Sequence, residues 1–316
     1  FCTSISSKTP ITREDMENQN SKSKKILMDV PVTRTSLRVI DNIIYSQHYE
    51  KGTISLHMTL IIPRTNEPKP CVVYFPGGGF TTSDYSKFIE CRMGLARAGF
   101  VVAAVQYRTI PNAFPALLED GKQAIRFLKA NAEKFGIDKT RFGVMGNSAG
   151  GYLSSMIATT MNEPCFDQGQ YLDESSDVQA CCTIFGPSDL ETIDEGFPTE
   201  VQAYHDSRAA SEALLVNGVV YGRDPGHLLE EIPDKARAAS PLGHIHPGLP
   251  PFLIMHGNND HMVSQRQSDH LYDALCENGT EVEYVVLDKA DHGDDHWFQQ
   301  PVIDYVVDWF RDHLRP

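Results

Sequence analysis

A single serine, Ser148, stands among small residues in the stretch RFGVMGNSAGGYLSSM, residues 141–156. Gly146 and Gly150 complete the spacing Gly-x-Ser-x-Gly around it. Residues with little or no Cβ let a chain leave a strand and enter a helix through a very tight turn, which pushes the hydroxyl at its apex into solvent. The spacing therefore predicts that Ser148 is a nucleophile, and the chemistry of an activated serine is acyl transfer.

A serine hydroxyl is a weak nucleophile at neutral pH and needs a base that a carboxylate holds in one tautomer. Two later stretches provide these groups. FLIMHGNNDHMV contains Asp260 just beyond an apolar run, and VVLDKADHGDDHWF contains His292 just beyond the next one. The chain order Ser148, Asp260, His292 is the order expected when such a triad follows the strands of an α/β sheet. We therefore predict a catalytic triad of these residues.

Both stretches also contain competing side chains, which are His256, His261, His296, Asp288, Asp291, Asp294 and Asp295. His256 ends an apolar run, which favours a packing or hydrogen-bonding role. His292 and His296, with carboxylates between them, raise the question of a divalent metal site. Gly293 disfavours a regular helix that would present this pair, and the motif His-Glu-x-x-His is absent. No metal is predicted.

The tetrahedral intermediate of acyl transfer needs hydrogen-bond donors, and glycines let backbone N–H groups approach a substrate oxygen closely. The stretch YFPGGGF contains Gly77, Gly78 and Gly79, and Ala149 follows the predicted nucleophile. The glycines do not form a nucleotide-binding motif, because Thr82 occupies the third glycine position of Gly-x-Gly-x-x-Gly. We therefore predict an oxyanion hole and no cofactor.

The surrounding pattern provides the strands and helices that such a site requires. LRVIDNIIYS and ISLHMTLIIP predict an antiparallel start to a sheet, and CVVYF, FVVAAVQY and RFGVMG predict buried strands. After Pro115, apolar residues recur at spacings of three and four, which is typical of an amphipathic helix. QACCTIFG, FLIMHG and EVEYVVL predict the remaining strands, the last two each followed by a helix. The alternation predicts an α/β fold with a mostly parallel, doubly wound sheet and helices on both faces.

The predicted domain organisation is a flexible N-terminal arm over residues 1–30 and a single domain over residues 31–316. The arm is rich in Ser, Lys, Thr and Asn and poor in apolar residues. Residues 187–240, within a region rich in Asp, Glu, Gly and Pro, predict an insertion of short helices that caps the sheet. Aromatic residues that fit either an acyl or sugar pocket or the core of this cap are Phe166, Tyr171, Phe197, Tyr204 and Tyr221.

Length and charge exclude several classes of partner. The 316 residues carry a formal net charge of −14, which disfavours nucleic acid because counterion release needs clustered Lys and Arg. No apolar run approaches the ~18 residues of a membrane span, so we expect a soluble protein. Because Phe1 stands where methionine would start a chain, we expect a processed or trimmed product, either cytoplasmic or exported with its signal peptide removed.

Four motifs, YFPGGGF, GNSAGG, HGNNDHMV and ADHG, occur in this order between residues 74 and 293. With them the chain resembles the α/β-hydrolase esterases, and among these the hormone-sensitive-lipase-like group. ASPLGHIHPGLPPFLIMHGNND further resembles the feruloyl and acetylxylan esterases of bacteria that degrade plant polysaccharides. The resemblance implies the α/β-hydrolase fold, Ser148 as nucleophile, Asp260 as acid, His292 as base, and Gly78, Gly79 and Ala149 as oxyanion donors. The family's glycine motif usually begins with histidine, and here Pro76 replaces it. We expect this replacement to alter the geometry of the loop more than the activity.

We therefore expect a cofactor-free serine carboxylesterase that cleaves acetyl or feruloyl groups from plant-polysaccharide sugars, or other short acyl esters. Two alternatives stay open at this stage. The same triad also serves amidases, formamidases and peptidases, and a hydrolase scaffold without activity can serve as a binding protein. A small-molecule or carbohydrate ester is the expected partner, and the sequence leaves a homo-oligomer open.

Overall fold

The computed structural model of the protein describes residues 25–49, 52–161, 163–219 and 226–314. The chain divides into two compact units, Phe1–Arg34 and Thr35–Pro316. In the first unit, residues 25–34 contain no helix or strand, and the rest of the predicted arm, residues 1–24, lies outside the described residues. Within the described ranges, each helix is too short or too polar to span a lipid bilayer.

The second unit is built on an eight-stranded sheet with the strand order β1-β2-β4-β3-β5-β6-β7-β8. Its strands are β1 (Leu37–His48), β2 (Ile54–Pro63), β3 (Lys69–Phe75), β4 (Val101–Val105), β5 (Ile137–Asn147), β6 (Ala180–Ile184), β7 (Phe252–Gly257) and β8 (Val282–Leu287). β2 pairs antiparallel with both β1 and β4, and all other pairs are parallel. The predicted mostly parallel sheet with an antiparallel start is confirmed.

Helices pack on both faces of this sheet. The α-helices of the described residues are α1 (Ile89–Arg97), α2 (Ala116–Ala130), α3 (Ala132–Phe135), α4 (Ala149–Thr159), α5 (Thr199–His205), α6 (Ser211–Asn217), α7 (Pro233–Ala238), α8 (Arg266–Glu277) and α9 (Gln300–His313). Neighbouring residues of β3 show the two faces, because Val73 belongs to the core that α2, α4 and α8 cover, and Val72 to the core under α1 and α9. Both valines are fully buried, which explains the unbroken apolar run of this strand.

Helix α1 is the one long element that the sequence pattern did not predict. Its apolar residues follow no clear helical stripe, and Gly94 lies near its middle, where glycine weakens a helix. The structure explains this glycine: a Cβ at Gly94 would lie 2.5 Å from Cγ2 of Ile303 in α9. Close packing of the two helices therefore overrides local propensity.

Between β6 and β7 the chain forms the short helices α5, α6 and α7. Short helices were predicted for this region, and the boundaries of a cap at residues 187–240 stay a prediction. Of the aromatic residues considered for it, Tyr221 lies outside the described residues. The others pack against neighbouring rings: Phe166 against Phe114, Tyr171 against Phe127, and Phe197 and Tyr204 against His205.

The parallel strands bring their carboxyl ends to one edge of the sheet, which is where sites form in open α/β folds. The loops that follow β3, β5, β7 and β8 carry the predicted glycines, serine, aspartate and histidine respectively. Residues that are far apart in the sequence are therefore gathered at one edge.

Candidate active site

Ser148 lies in a strained turn between β5 and α4. Its backbone angles are φ 53° and ψ −125°, a combination that residues with a side chain rarely adopt. Strain of this kind persists where the surrounding structure imposes it, and it is concentrated at functional sites. The side chain is half-buried and lines a cleft.

The flanking glycines are required by close backbone approach. A Cβ at Gly146 would lie 2.2 Å from the carbonyl oxygen of Gly150, and a Cβ at Gly150 would lie 2.0 Å from that of Phe75. No side chain fits at such distances. The turn therefore has the tight geometry that the spacing Gly-x-Ser-x-Gly predicts.

Asp260 and His292 meet across the loops that follow β7 and β8. Nδ1 of His292 lies 2.8 Å from Oδ2 of Asp260, with 11 % of the histidine side chain exposed and 1 % of the aspartate side chain. The ring of Phe185 lies against the imidazole, with 4.4 Å between centroids. The carboxylate thus fixes the orientation of the ring and keeps a proton on Nδ1, which leaves Nε2 free to accept one.

Asp260 is held in place by four contacts. Its Oδ1 accepts the backbone N–H groups of Met262 at 2.8 Å and Val263 at 2.9 Å, and its Oδ2 lies 2.8 Å from His292 and 3.4 Å from Nε2 of His256. Burial alone would raise the pKa of this carboxyl. Hydrogen bonds from the two histidines and Val263 outweigh burial, so the pKa lies well below its ordinary value. Asp260 is therefore ionised throughout the neutral range.

His256 has the hydrogen-bonding role that its position at a strand end predicts. Its side chain is fully buried, its Nδ1 lies 2.6 Å from Oγ of Ser268, and its Nε2 lies 2.9 Å from the carbonyl oxygen of Val263. The carbonyl oxygen can only accept, so Nε2 of His256 carries the hydrogen and donates this hydrogen bond. Nδ1 therefore accepts a hydrogen bond from the hydroxyl of Ser268. His256 supports the loop that carries Asp260 and does not reach the cleft.

Of the other competing residues, His261 and His296 each pair with an aspartate near the surface. His261 binds Asp291 at 3.0 Å and His296 binds Asp294 at 2.9 Å. Asp291 also accepts the backbone N–H of His292 at 2.7 Å, so it contacts the main chain of this histidine and not its ring. In the described part of the chain, no group of three or more Asp, Glu, His or Cys side chains could hold a metal ion.

The glycine loop, residues 76–79, lies beside Ser148. Gly79 has a φ of 56°, which favours glycine. Within the described ranges, the N–H groups of Gly78, Gly79 and Ala149 donate no hydrogen bond to the protein. The two glycines line the cleft together with Ser148, and Ala149 begins α4 directly after it. These three donors are therefore available to a ligand.

The cleft has a volume of about 840 Å³, which suits a small organic ligand. Ser148 and His292 both line it, and no hydrogen bond joins them, as is common before a substrate tightens the site.

The cleft also has an aromatic wall of Phe88, Phe185 and Phe298. Sequence reasoning missed this wall, because the three residues lie far apart in the chain and follow no shared motif. Of the aromatic residues considered for the cap, the four that the structure describes do not line the cleft. The remaining lining residues are Gly77, Thr82, Ser86, Lys87, Ile89, Glu90, Asn147, Met262, Gly293 and Asp295.

A comparison with protein families matches residues 58–275, which is more than half of the chain, to the family described as BD-FAE. The chain belongs to the BD-FAE family. This BD-FAE protein is 31% identical to Esterase LipC of Mycobacterium tuberculosis over 72% of its own length and 54% of that protein. It is 29% identical to the probable carboxylic ester hydrolase LipM of the same organism over 65% of the chain and 44% of LipM. The chain thus spans about half the length of these curated relatives.

Solved structures show the same fold. A truncated form of a carbohydrate esterase from gut microbiota superposes on the BD-FAE protein with a TM-score of 0.75 at 24% identity, covering 90% of this chain and 98% of that one. An acetyl ester-xyloside bifunctional hydrolase from Caldicellulosiruptor lactoaceticus gives a TM-score of 0.67 at 22% identity, covering 88% and 96%. The α/β-hydrolase fold and the predicted resemblance to esterases of this fold, carbohydrate esterases among them, are confirmed.

Proposed function

We propose that this protein is a serine carboxylesterase in which Ser148, His292 and Asp260 act as nucleophile, base and acid. The observation that supports this most strongly is that the strained Ser148 lines one cleft with His292, whose Nδ1 lies 2.8 Å from Asp260. Its named relatives include an esterase and a probable carboxylic ester hydrolase, which agrees with this chemistry.

In the proposed reaction, Oγ of Ser148 attacks the carbonyl carbon of the ester while Nε2 of His292 takes the hydroxyl proton. The carbonyl electrons move onto oxygen, and the N–H groups of Gly78, Gly79 and Ala149 stabilise that oxyanion. Collapse breaks the bond to the alcohol, which leaves with the proton from His292. Water then attacks the acyl carbon while Nε2 of His292 takes its proton. Collapse of this second intermediate breaks the bond to Oγ of Ser148, which recovers the proton from His292, and the acid is released.

For the substrate we propose an acetyl or feruloyl ester of a plant-polysaccharide sugar. The aromatic wall of Phe88, Phe185 and Phe298 suits the ring of a hydroxycinnamoyl group, and about 840 Å³ has room for the acyl group and a sugar. Carbohydrate esterases among the structural neighbours support the sugar part of the proposal.

The first test measures hydrolysis of p-nitrophenyl acetate, butyrate and octanoate, with acetylated xylan and methyl ferulate in parallel. The wild type is compared with Ser148→Ala and with Ser175→Ala, a control at an exposed serine outside the cleft. We expect kcat to fall by on the order of 10⁴-fold or more in Ser148→Ala and to stay unchanged in the control. Unchanged activity in Ser148→Ala would refute the mechanism.

The same panel separates the alternatives. Cleavage of model esters without release of acetate or ferulate would keep the mechanism and overturn the substrate. Faster cleavage of the matching anilides than of the esters would favour an amidase. An organophosphonate, which labels an activated serine, would leave Ser148 unmodified in a protein used only for binding.

A further inference from the structure

The glycine loop is held by polar contacts from three separate parts of the chain. The hydroxyl of Tyr107 donates to the carbonyl of Pro76 at 2.6 Å. At Gly77, the N–H donates to Oδ1 of Asn147 at 3.1 Å, and the carbonyl accepts from Nζ of Lys87 at 3.2 Å. Both polar groups of Gly77 are therefore occupied, and the next N–H groups along the loop are those left for a ligand.

Asn147 is the contact that lies next to the proposed nucleophile in the chain. It ends β5 directly before Ser148 and is 8 % exposed. Its Oδ1 accepts both the N–H of Gly77 and the hydroxyl of Tyr74, the latter at 2.9 Å. Because both partners are donors, the side-chain amide has one orientation, with its oxygen toward the loop.

Tyr74 is suited to hold this amide. The ring is fully buried in β3, and burial raises the pKa of its hydroxyl well above the ordinary value, although the Arg92 guanidinium over the ring partly opposes this. The hydroxyl therefore keeps its proton and remains a donor to Asn147 at every pH at which the protein is assayed.

The contact lies where a small displacement reaches the reacting atoms. A Cβ at Gly77 would lie 2.7 Å from the carbonyl oxygen of Asn147 and 3.0 Å from Cβ of Ser148, so the loop rests directly on the nucleophile turn. Pro76 has no N–H and no side-chain donor of its own, so the direction of the loop depends on its neighbours.

We propose that Asn147, supported by Tyr74, is a positioning residue that directs the N–H groups of Gly78 and Gly79 toward the oxyanion formed on Ser148. This inference rests on the proposed serine-esterase function. A misdirected loop loses interactions made in the transition state more than those made with the bound ester, so kcat falls and KM changes little.

The test compares three variants with the wild type. Asn147→Leu keeps the size of the side chain and removes the acceptor, Asn147→Asp keeps an acceptor in the same place, and Tyr74→Phe removes only the supporting hydroxyl. Each kcat for p-nitrophenyl acetate is divided by the fraction of active sites that an organophosphonate titrates. A smaller fraction of folded protein then does not lower the kcat that is compared. Inhibition by a trifluoromethyl ketone, which forms an oxyanion on the serine, is measured alongside.

We expect Asn147→Leu to lower kcat per titrated site by about 10²-fold, the effect of one oxyanion donor, with KM within about threefold. Asn147→Asp recovers activity to within about tenfold of the wild type, and Tyr74→Phe shows the same pattern at smaller amplitude. The inhibition constant of the ketone rises in proportion to the loss of kcat/KM.

Three results would overturn the inference alone: an unchanged kcat per site in Asn147→Leu, an unchanged ketone affinity despite a lower kcat, or an Asp variant as slow as the Leu variant. If Asn147→Leu does not fold, an unchanged kcat per site in Tyr74→Phe overturns it instead. A wild type that neither cleaves esters nor accepts the phosphonate overturns the proposed function and this inference together.

Discussion

The substitution Asp260→Asn tests the proposed triad most directly, because it changes one atom of a side chain that the structure holds in place. The carbonyl oxygen of the asparagine still accepts hydrogen bonds from the backbone N–H groups of Met262 and Val263, which lie 2.8 and 2.9 Å from Oδ1 of the aspartate. The new NH₂ group then replaces Oδ2, which lies 2.8 Å from Nδ1 of His292. Two donors cannot face each other, so His292 must move its proton to Nε2.

A histidine protonated on Nε2 cannot accept the proton of Ser148. In serine hydrolases this loss of the correct tautomer lowers kcat by about 10⁴-fold, or about 5.4 kcal/mol of transition-state stabilisation. We expect a loss of that size in Asp260→Asn with a folded protein, since both backbone donors keep their acceptor. The assay is the initial rate of p-nitrophenyl acetate hydrolysis at saturating substrate, with thermal unfolding measured on the same samples.

The matched control is Asp291→Asn, because Asp291 contacts the backbone N–H of His292 and not its ring. We expect this variant to lose less than about tenfold in kcat, since it leaves the tautomer unchanged. A rate in Asp260→Asn within tenfold of the wild type would refute the assigned role of Asp260. Equal losses in both variants would show that the loop, and not the ring contact, is what matters.

Three further changes test contacts that hold the fold together. Asp167→Ala leaves the fully buried guanidinium of Arg126 without its carboxylate, which is 25 % exposed. We expect urea unfolding to show a loss of about 3–5 kcal/mol, because a buried charge is left uncompensated. A loss below about 1 kcal/mol would show that this ion pair contributes little. Burial lowers the pKa of Lys129 to about 8, so between pH 8 and the ordinary lysine pKa the unfolded chain binds more protons, and stability rises with pH. This rise in the free energy of unfolding is on the order of 3 kcal/mol, and Lys129→Met should remove it. The measurement is thermal unfolding of both proteins from about pH 7 to 10. Stability that changes with pH in the same way in both proteins would contradict the prediction. Gly150→Ala places a Cβ 2.0 Å from the carbonyl oxygen of Phe75, so we expect a loss of more than about 10²-fold in phosphonate-titratable sites, and full titration would show that the turn can relax.

The fold could be predicted from the sequence wherever one stretch of chain carries the information. The apolar runs of β3, β4 and β6 are unbroken because these strands are buried on both faces, and that pattern is visible without a structure. The turn at Ser148 is marked by a local spacing of glycines, although the structure shows that the distant carbonyl of Phe75 is what requires Gly150. Helix α1 could not be predicted, because Gly94 is explained only by Ile303 in α9, far along the chain.

The candidate site shows the same limit. Ser148, Asp260 and His292 could be chosen from their spacing and order, but the choice of Asp260 over Asp291 depends on which carboxylate faces the imidazole, and only the folded loops decide that. The role of Asn147 could not be predicted from the sequence, which shows only that it precedes the serine. Its two hydrogen-bond partners lie 70 and 73 residues away. Polar contacts between distant segments leave no periodicity to detect.

The two histidines that share Asp260 show how the fold selects a base from equivalent side chains. Both approach the same Oδ2, His292 at 2.8 Å and His256 at 3.4 Å. His256 is fully buried, and both its nitrogens are already engaged, by Ser268 and by the carbonyl of Val263. Only Nδ1 of His292 contacts the carboxylate, and its Nε2 has no hydrogen-bond partner in the described part of the chain. His292 lines the same cleft as Ser148. The carboxylate orients both rings, so access to the cleft is what separates the proposed base from the residue that supports it.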